Sequence, residues 1–247
     1  MRNIWTIARR EYKLYFSGPV AYAVGFLYLI ILGWFIYDEL HRALQRAMYQ
    51  PYTPDVRIVT GAIMVYLLIF TVPAITMRLI AEERRAGTME LLLTLPLKDW
   101  ELIVGKWLGG VLFMLTLLAI TLIYPIILNR MAQPGIDQGP LVSGYLGLIL
   151  LISSLIAIGV AVSSFFNNQI AAFFITEGVN LILWFAARPP AGMTGGIADV
   201  WGGFNIIDHY VTFFQGVIDV KDIVYYLSLT AFCLFLGTMA VEMRRWR

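Results

Sequence analysis

The chain alternates long uninterrupted apolar runs with short polar stretches, and the runs have the length of bilayer crossings. A helix rises about 1.5 Å per residue, so a hydrocarbon core of about 30 Å needs roughly 20 apolar residues. Six segments meet or approach that length: Val20–Tyr37, Ile58–Met77, Trp107–Leu128, Leu141–Phe166, Ile170–Ala187 and Ile223–Val241. Inside lipid each must satisfy its own backbone polar groups, which selects α-helices. A membrane barrel would show short alternating segments, and these runs are continuous. The pattern predicts an all-α integral membrane protein, one domain over residues 1–247, with six transmembrane helices. Glu177, in the fifth run, is the only Asp, Glu, Lys, Arg or His inside any of them.

Composition agrees. The chain is 60% hydrophobic and 14% charged, whereas a soluble domain is about a quarter charged. A soluble fold could not hide that much apolar surface. The first apolar run follows a basic segment, as a signal peptide would. No small-residue cleavage site follows Tyr37 and further runs come after it, so an uncleaved first span is expected. The lone Cys233 sits in an apolar run and offers neither a disulfide framework nor a zinc pattern.

The net charge of +2 says less than the distribution of charge. The N-terminal segment (Arg2, Arg9, Arg10, Lys13), the loop between runs two and three with its flanks (Arg78, Arg84, Arg85, Lys98, Lys106) and the tail (Arg244, Arg245, Arg247) hold twelve basic residues. The opposite side holds six: Arg42, Arg46, Arg57, Arg130, Arg188 and Lys221. Basic residues favour the cytoplasmic side, so both termini are expected there. The loop Asn167–Gln169 should also be cytoplasmic yet carries no charge.

Between the spans, three segments stand out. Before the first run, Ile4, Trp5, Ala8, Tyr12 and Tyr15 recur at helical spacing, with the basic residues mostly elsewhere. Gly18-Pro19 then breaks the helix, and Pro19 suits the first turn of span one. This predicts an N-terminal amphipathic elbow helix, either a contact for a cytosolic partner or a plain membrane anchor. After span two, which Pro73 should kink, a charged stretch leads to Ala86-Gly87-Thr88-Met89-Glu90-Leu91-Leu92-Leu93-Thr94-Leu95-Pro96. Gly87 allows a turn, Thr88 can cap a helix, Glu90 faces the positive end of its dipole and Pro96 ends it. The expected element is a short cytoplasmic helix, Met89 to Leu95, with Leu91, Leu92 and Leu95 on one face. That face has two sinks, the lipid interface or a groove on another protein. Asp99 can cap span three. Finally, the outer loop from Arg188 to Asp222 turns aromatic over Phe204–Phe214. A solvated loop would not carry so many large apolar groups, so a re-entrant or capping helix is expected before the last span.

No catalytic constellation is present. His41 and His209 fall in separate outer loops, and neither H-E-x-x-H nor G-x-S-x-G occurs. Gly105-Lys106 resembles the end of a phosphate-binding loop, but the upstream glycine is missing and Trp107 stands where Ser or Thr would hold magnesium. Gly105 and Gly109 match G-x-x-x-G, a spacing that 21 glycines produce by chance. No basic patch supports nucleic-acid binding.

The stretch Met77-Arg78-Leu79-Ile80-Ala81-Glu82-Glu83-Arg84-Arg85-Ala86-Gly87-Thr88-Met89-Glu90-Leu91-Leu92-Leu93-Thr94-Leu95-Pro96, followed by Val104-Gly105-Lys106, resembles the ABC-2 type transporter permease family. The likeness spans the chain. The segments His209–Asp219 and Tyr225–Ser228 are similar to the gliding-motility-associated subgroup.

The resemblance implies the permease subunit of an ATP-driven ABC transporter, most simply an exporter, in a bacterial or archaeal plasma (inner) membrane. Such a chain is not an enzyme by itself: ATP and magnesium belong to a separate ABC ATPase subunit, and this chain holds no cofactor. A second permease, in a homo- or heterodimer, and membrane lipid are implied partners, and an auxiliary periplasmic subunit is compatible with the family. The short helix of the 82–100 loop becomes a coupling helix, which assigns ATPase contact to Glu82, Glu83, Arg84, Gly87, Thr88, Glu90, Leu91, Leu92, Leu95 and Pro96. Spans two and five of the family flank the pathway, which places Pro73, Glu177 and Asn180 near it. Two alternatives share the sequence: an ABC-type mechanical or assembly factor of the same fold, and an ion-coupled secondary transporter using Glu177. An intramembrane enzyme lacks a nucleophile and base.

Overall fold

The computed structural model describes residues 2–47, 55, 57–85, 87, 98–131, 135–186, 195–196 and 201–245, and among these every regular element is a helix. Helix α1 (Arg2–Ser17) ends at Gly18, and α2 (Pro19–Ala47) begins at the expected proline. Span two is built in three pieces, α3 (Arg57–Thr60), α4 (Ala62–Thr76) and α5 (Ala81–Arg85). Span three comprises α6 (Asp99–Thr121) and α7 (Ile123–Met131). Then follow α8 (Gln138–Phe165), α9 (Gln169–Leu181, continued by a wider turn over Ile182–Ala186), α10 (Asp208–Phe214) and α11 (Val220–Arg245).

Among the described residues, five helical stretches are long and apolar enough to cross a membrane: Ala21–Gln45, Arg57–Arg85, Asp99–Met131, Gln138–Phe165 and Val220–Met243. The fifth apolar run of the sequence is a shorter helix, Gln169–Phe185. Seventeen residues at 1.5 Å each give about 25 Å, somewhat less than the core of a typical bilayer.

Several ends differ from the sequence expectation, for one reason: an apolar run marks hydrocarbon, not helix. Span one continues through Ala47, ten residues past Tyr37, and Arg42 pairs with Asp38 at 2.6 Å and Glu39 at 3.3 Å on this polar extension. His41 therefore lies on a helix, not in a loop. Span three begins at Asp99, eight residues before Trp107. Its N-cap is Lys98, not Asp99, and the Lys98 backbone N–H donates to Glu101 Oε2 at 3.2 Å. Span two is not broken at Pro73. Its irregular turn falls just after, over 77–80, where Ser163 Oγ of α8 accepts from the backbone N–H groups of Ile80 (3.2 Å) and Ala81 (3.1 Å). That hydroxyl serves as an N-cap supplied from another helix.

Helix α8 is the centre of the bundle. Its apolar window is 72% buried, against 22% for α2 and 28% for α11, which leaves those two broadly exposed to lipid or to other chains. Leu148, Leu151, Ile152, Leu155 and Ile156 are fully buried along it. Small residues on the same helix, Ser154, Ser163 and Ser164 among them, keep the packing close and spend their hydroxyls on backbone carbonyl or N–H groups.

The aromatic segment before the last span contains a short helix, α10, with Tyr210 and Phe213 buried against the bundle. Ser143 Oγ of α8 donates to Phe213 O at 2.8 Å, and Tyr210 Oη donates to Thr60 O at 2.5 Å. His209 of α10 pairs with Asp222 of α11: Nδ1 and Oδ1 are 2.6 Å apart. Thr212 also donates to Asp222, and Tyr225 stacks on the imidazole at 3.8 Å between centroids. The second histidine is thus a buried structural group that fastens α10 to the last span.

Candidate functional site

Three elements meet where the chain enters and leaves the 86–97 loop: the elbow α1, the α4–α5 end of span two and the first turns of α6. Lys106, on α6, organises the junction. It was expected among the solvated flanking charges, but it is 1% exposed. It follows Leu102, Ile103, Val104 and Gly105 in sequence and precedes Trp107 and Leu108, so apolar neighbours hold it inside the helix bundle.

The ammonium has three donors. It donates to Leu79 O at 2.6 Å and to Glu11 Oε1 at 3.2 Å, and Glu83 Oε2 lies 2.8 Å away. Arg10 reaches Glu83 Oε1 at 3.0 Å and Glu11 Oε1 at 3.6 Å. Two cations and two carboxylates therefore balance, with the lysine fully enclosed and the arginine half exposed. A charge removed from water at this depth is tolerable only when paired and hydrogen-bonded. The network ties α1, span two and span three into one body.

The elbow also fits α6 by shape. A Cβ at Gly105 would stand 2.7 Å from Ile7 Cβ, and one at Gly109 would stand 2.6 Å from Glu11 Cβ and 3.1 Å from Ala8 O. The G-x-x-x-G pair, discounted as chance on sequence grounds, is the groove into which α1 packs. The buried stripe of α1 is Ile7, Ala8 and Glu11, while Trp5 is 56% exposed, so the expected aromatic face is split between protein and surroundings. Tyr15 stacks on Phe113 at 4.7 Å, Tyr12 Oη lies 3.1 Å from Thr116 Oγ1, and Asn3 Nδ2 donates to Glu101 Oε2 at 3.2 Å.

Of the residues assigned to ATPase contact, Glu82 is exposed, Glu83 turns inward to Lys106, and Arg84 lies on α5. Gly87 has φ +70°, a left-handed conformation that suits glycine after a helix end, and its N–H donates to Arg84 O at 3.1 Å. Thr88, Glu90, Leu91, Leu92, Leu95 and Pro96 lie outside the described residues. The loop is thus held at both ends, by Gly87 after α5 and by Lys98 before α6.

The pathway candidates sit deeper. Pro73 is buried in α4, and α9 packs against α4 and α8. Glu177 and Asn180, one turn apart on α9, are both buried. Neither the Glu177 carboxylate oxygens nor the Asn180 amide atoms have a hydrogen-bond partner among the described residues. The neighbouring Thr176 hydroxyl donates to Ala172 O at 2.7 Å.

Among the described residues, no group of three or more His, Cys, Asp and Glu is placed to hold a metal ion. The junction holds α1, span two and span three together by charge and by shape. The model of the family described as ABC-2 family transporter protein matches residues 7–241, from inside the elbow to the end of the last span. No curated protein matches the chain significantly. The match covers nearly the whole sequence, so the chain belongs to the ABC-2 transporter family, whose members are membrane permease components of ABC transporters.

Proposed function

We propose that this chain is the permease subunit of an ATP-driven exporter, worked through the 86–97 loop by a separate ABC ATPase. The observation that carries the reading is the mounting of that loop. Its leading end follows α5, whose Glu83 is paired with Lys106, and its trailing end opens α6, which carries Lys106. A push on the loop therefore reaches spans two and three together, with the elbow fastened to both. A loop hung from two independently moving helices would dissipate the same displacement.

In this reading the leucine face Leu91, Leu92 and Leu95 enters a groove on the ATPase, with Glu82 and Arg84 at its edge. Closure of two ATPases moves two permeases between inward and outward forms. The helix Gln169–Phe185 serves as a sixth crossing, and its unpartnered Glu177 and Asn180 face the pathway with Pro73 nearby. Both termini and the loop lie in the cytoplasm, and α10 closes the outer end. An assembly or envelope-remodelling machine of the same build would use the same coupling and differ only in what it moves.

The test is direct. Leu92→Asp and Glu90→Arg should each leave the permease in the membrane but release its ATPase on copurification or lower ATP hydrolysis by the complex. ATPase recovery and hydrolysis unchanged in both variants would overturn the assignment of the loop.

A further inference from the structure

Between α1, the start of α2 and the α4–α5 end of span two lies a cavity of about 360 Å³. Its lining is charged on one side and apolar on the other along span two. Arg78 and Glu82 mark one end, and Leu14, Ala21, Val24 and Ala74 mark the other. Along span two, Ala74 precedes Arg78 by four residues, so the charged end sits about one helical turn beyond the apolar wall.

The other charges around the cavity are mutually engaged: Lys106, Glu11, Glu83 and Arg10 form the network described above. Arg78 and Glu82 have no ion-pair partner among the described residues. The Arg78 Nε–H is enclosed and unpartnered. A half-buried guanidinium beside hydrocarbon calls for an anion, and its planar fork suits a phosphate. One free cation and one free anion beside an apolar wall match a phosphodiester that carries an amine and is joined to a hydrocarbon chain. The volume lies within the roughly 300–1,000 Å³ of small-molecule sites. It suits a head group and the first carbons of one chain, not a whole two-tailed lipid.

We propose that this cavity binds one phospholipid from the leaflet on the side of the 86–97 loop. Its phosphate rests on Arg78, and the amine of a phosphoethanolamine head group lies beside Glu82. The lipid fills the face of the elbow that α6 does not cover, so it braces the junction from the bilayer side. This site depends on the membrane placement of the chain and not on the identity of its ATPase or cargo.

The experiment is native mass spectrometry of the purified permease released from detergent, titrated with dioleoyl phosphatidylethanolamine, dioleoyl phosphatidylglycerol or inorganic phosphate. The wild type should retain one tightly held lipid, with the ethanolamine lipid preferred. Arg78→Gln should weaken both lipids about tenfold or more, because a charge-assisted hydrogen-bond pair is lost. Glu82→Gln should erase the preference and leave the glycerol lipid unchanged. Ala74→Trp keeps Arg78 but fills the apolar end, and should also expel lipid. Lys221→Gln, at an exposed position near the start of α11, should change nothing. Wild-type lipid retention in either Arg78→Gln or Ala74→Trp overturns the proposal. So does displacement of the lipid by inorganic phosphate, which would mark a simple anion site. If Arg78→Gln does not fold, Ala74→Trp alone decides.

Discussion

Lys106 Nζ and Glu83 Oε2 stand 2.8 Å apart across the two ends of the 86–97 loop, with the lysine 1% exposed. This contact joins the spans on either side of the loop. Lys106→Met would leave two enclosed carboxylates, Glu11 and Glu83, sharing the single half-exposed cation Arg10. Breaking a buried pair by removing one partner costs about 3–5 kcal/mol. The variant should lose thermal stability in detergent and expose the Ser17–Gly18 joint to protease. Adding Glu83→Gln should recover part of the loss, since the second carboxylate is then neutral. Full additivity of the two substitutions would show that the pair does not interact.

The elbow groove is tested by size. Gly109→Val drives a branched side chain into Glu11 and the Ala8 carbonyl, where even a Cβ is too close. Overpacking of this kind costs about 1–3 kcal/mol, and here it should lift α1 from α6. Gly178 on α9 has open space around it. Gly178→Ala should be neutral or stabilise by up to about 1 kcal/mol, because glycine is the weaker helix former. Equal melting temperatures for Gly109→Val and the wild type would contradict the groove.

Five long apolar helices were legible in the sequence because lipid demands an unbroken apolar run, and nothing else in a chain of this composition supplies one. An N-terminal helix, its break at Gly18-Pro19 and a helix within Phe204–Phe214 were legible for related reasons of periodicity and turn chemistry. The helix ends were not, because polar turns such as Asp38–Ala47 continue a helix without extending the apolar run. The junction was hidden by distance: Glu11, Glu83 and Lys106 come from three segments, and each alone reads as a surface charge. One signal was available. Lys106 is flanked by Leu102, Ile103, Trp107 and Leu108, and a cation set within an apolar helix face needs a buried partner. Gly105 and Gly109 gave a true spacing whose significance only the facing Ile7 and Glu11 reveal. The His209–Asp222 pair was invisible because no periodicity links a loop helix to the span after it.

That pair carries a prediction of its own. His209 Nδ1 faces Asp222 Oδ1 and Nε2 lies 3.0 Å from Gly203 O, so both ring nitrogens point at acceptors. Asp222→Ala removes the acceptor shared by His209 and Thr212 at a site where both pair members are nearly fully enclosed. A loss of about 3–5 kcal/mol is expected, felt first as release of α10 from α11. Hydrogen exchange over 208–214 should rise sharply while α8 stays protected. Unchanged protection of α10 would show that Tyr210 and Phe213 hold it without the pair.

The orientation expected from the basic residues can be tested chemically. In a Cys233→Ser background, Gln138→Cys and Gly195→Cys should react with an impermeant thiol reagent in intact cells. Gly87→Cys should react only after the membrane is opened. Labelling of Gly87→Cys in intact cells would invert the topology, and with it the side on which an ATPase could engage the loop.

Glu177 poses the sharpest choice. Seven residues separate it from Ile170, so it lies about 10 Å along the helix from that end. An acid at such depth costs roughly 2.5–3.5 kcal/mol to insert on translocon-based scales, which opposes a lipid-facing position. Among the described residues nothing repays that cost: its oxygens, and the amide of Asn180 one turn on, are enclosed without partners there. Water, cargo or a second permease would each supply one. If Glu177 only bonds a neighbouring permease, Glu177→Gln should keep assembly and activity, while Glu177→Leu should weaken the dimer on size-exclusion chromatography. If it faces the pathway, both variants should assemble normally and both should change ATP hydrolysis by the complex, because what they alter is the cavity and not the contact. Wild-type assembly together with wild-type hydrolysis in Glu177→Gln would remove it from the pathway, and Asn180 would then have to be tested alone.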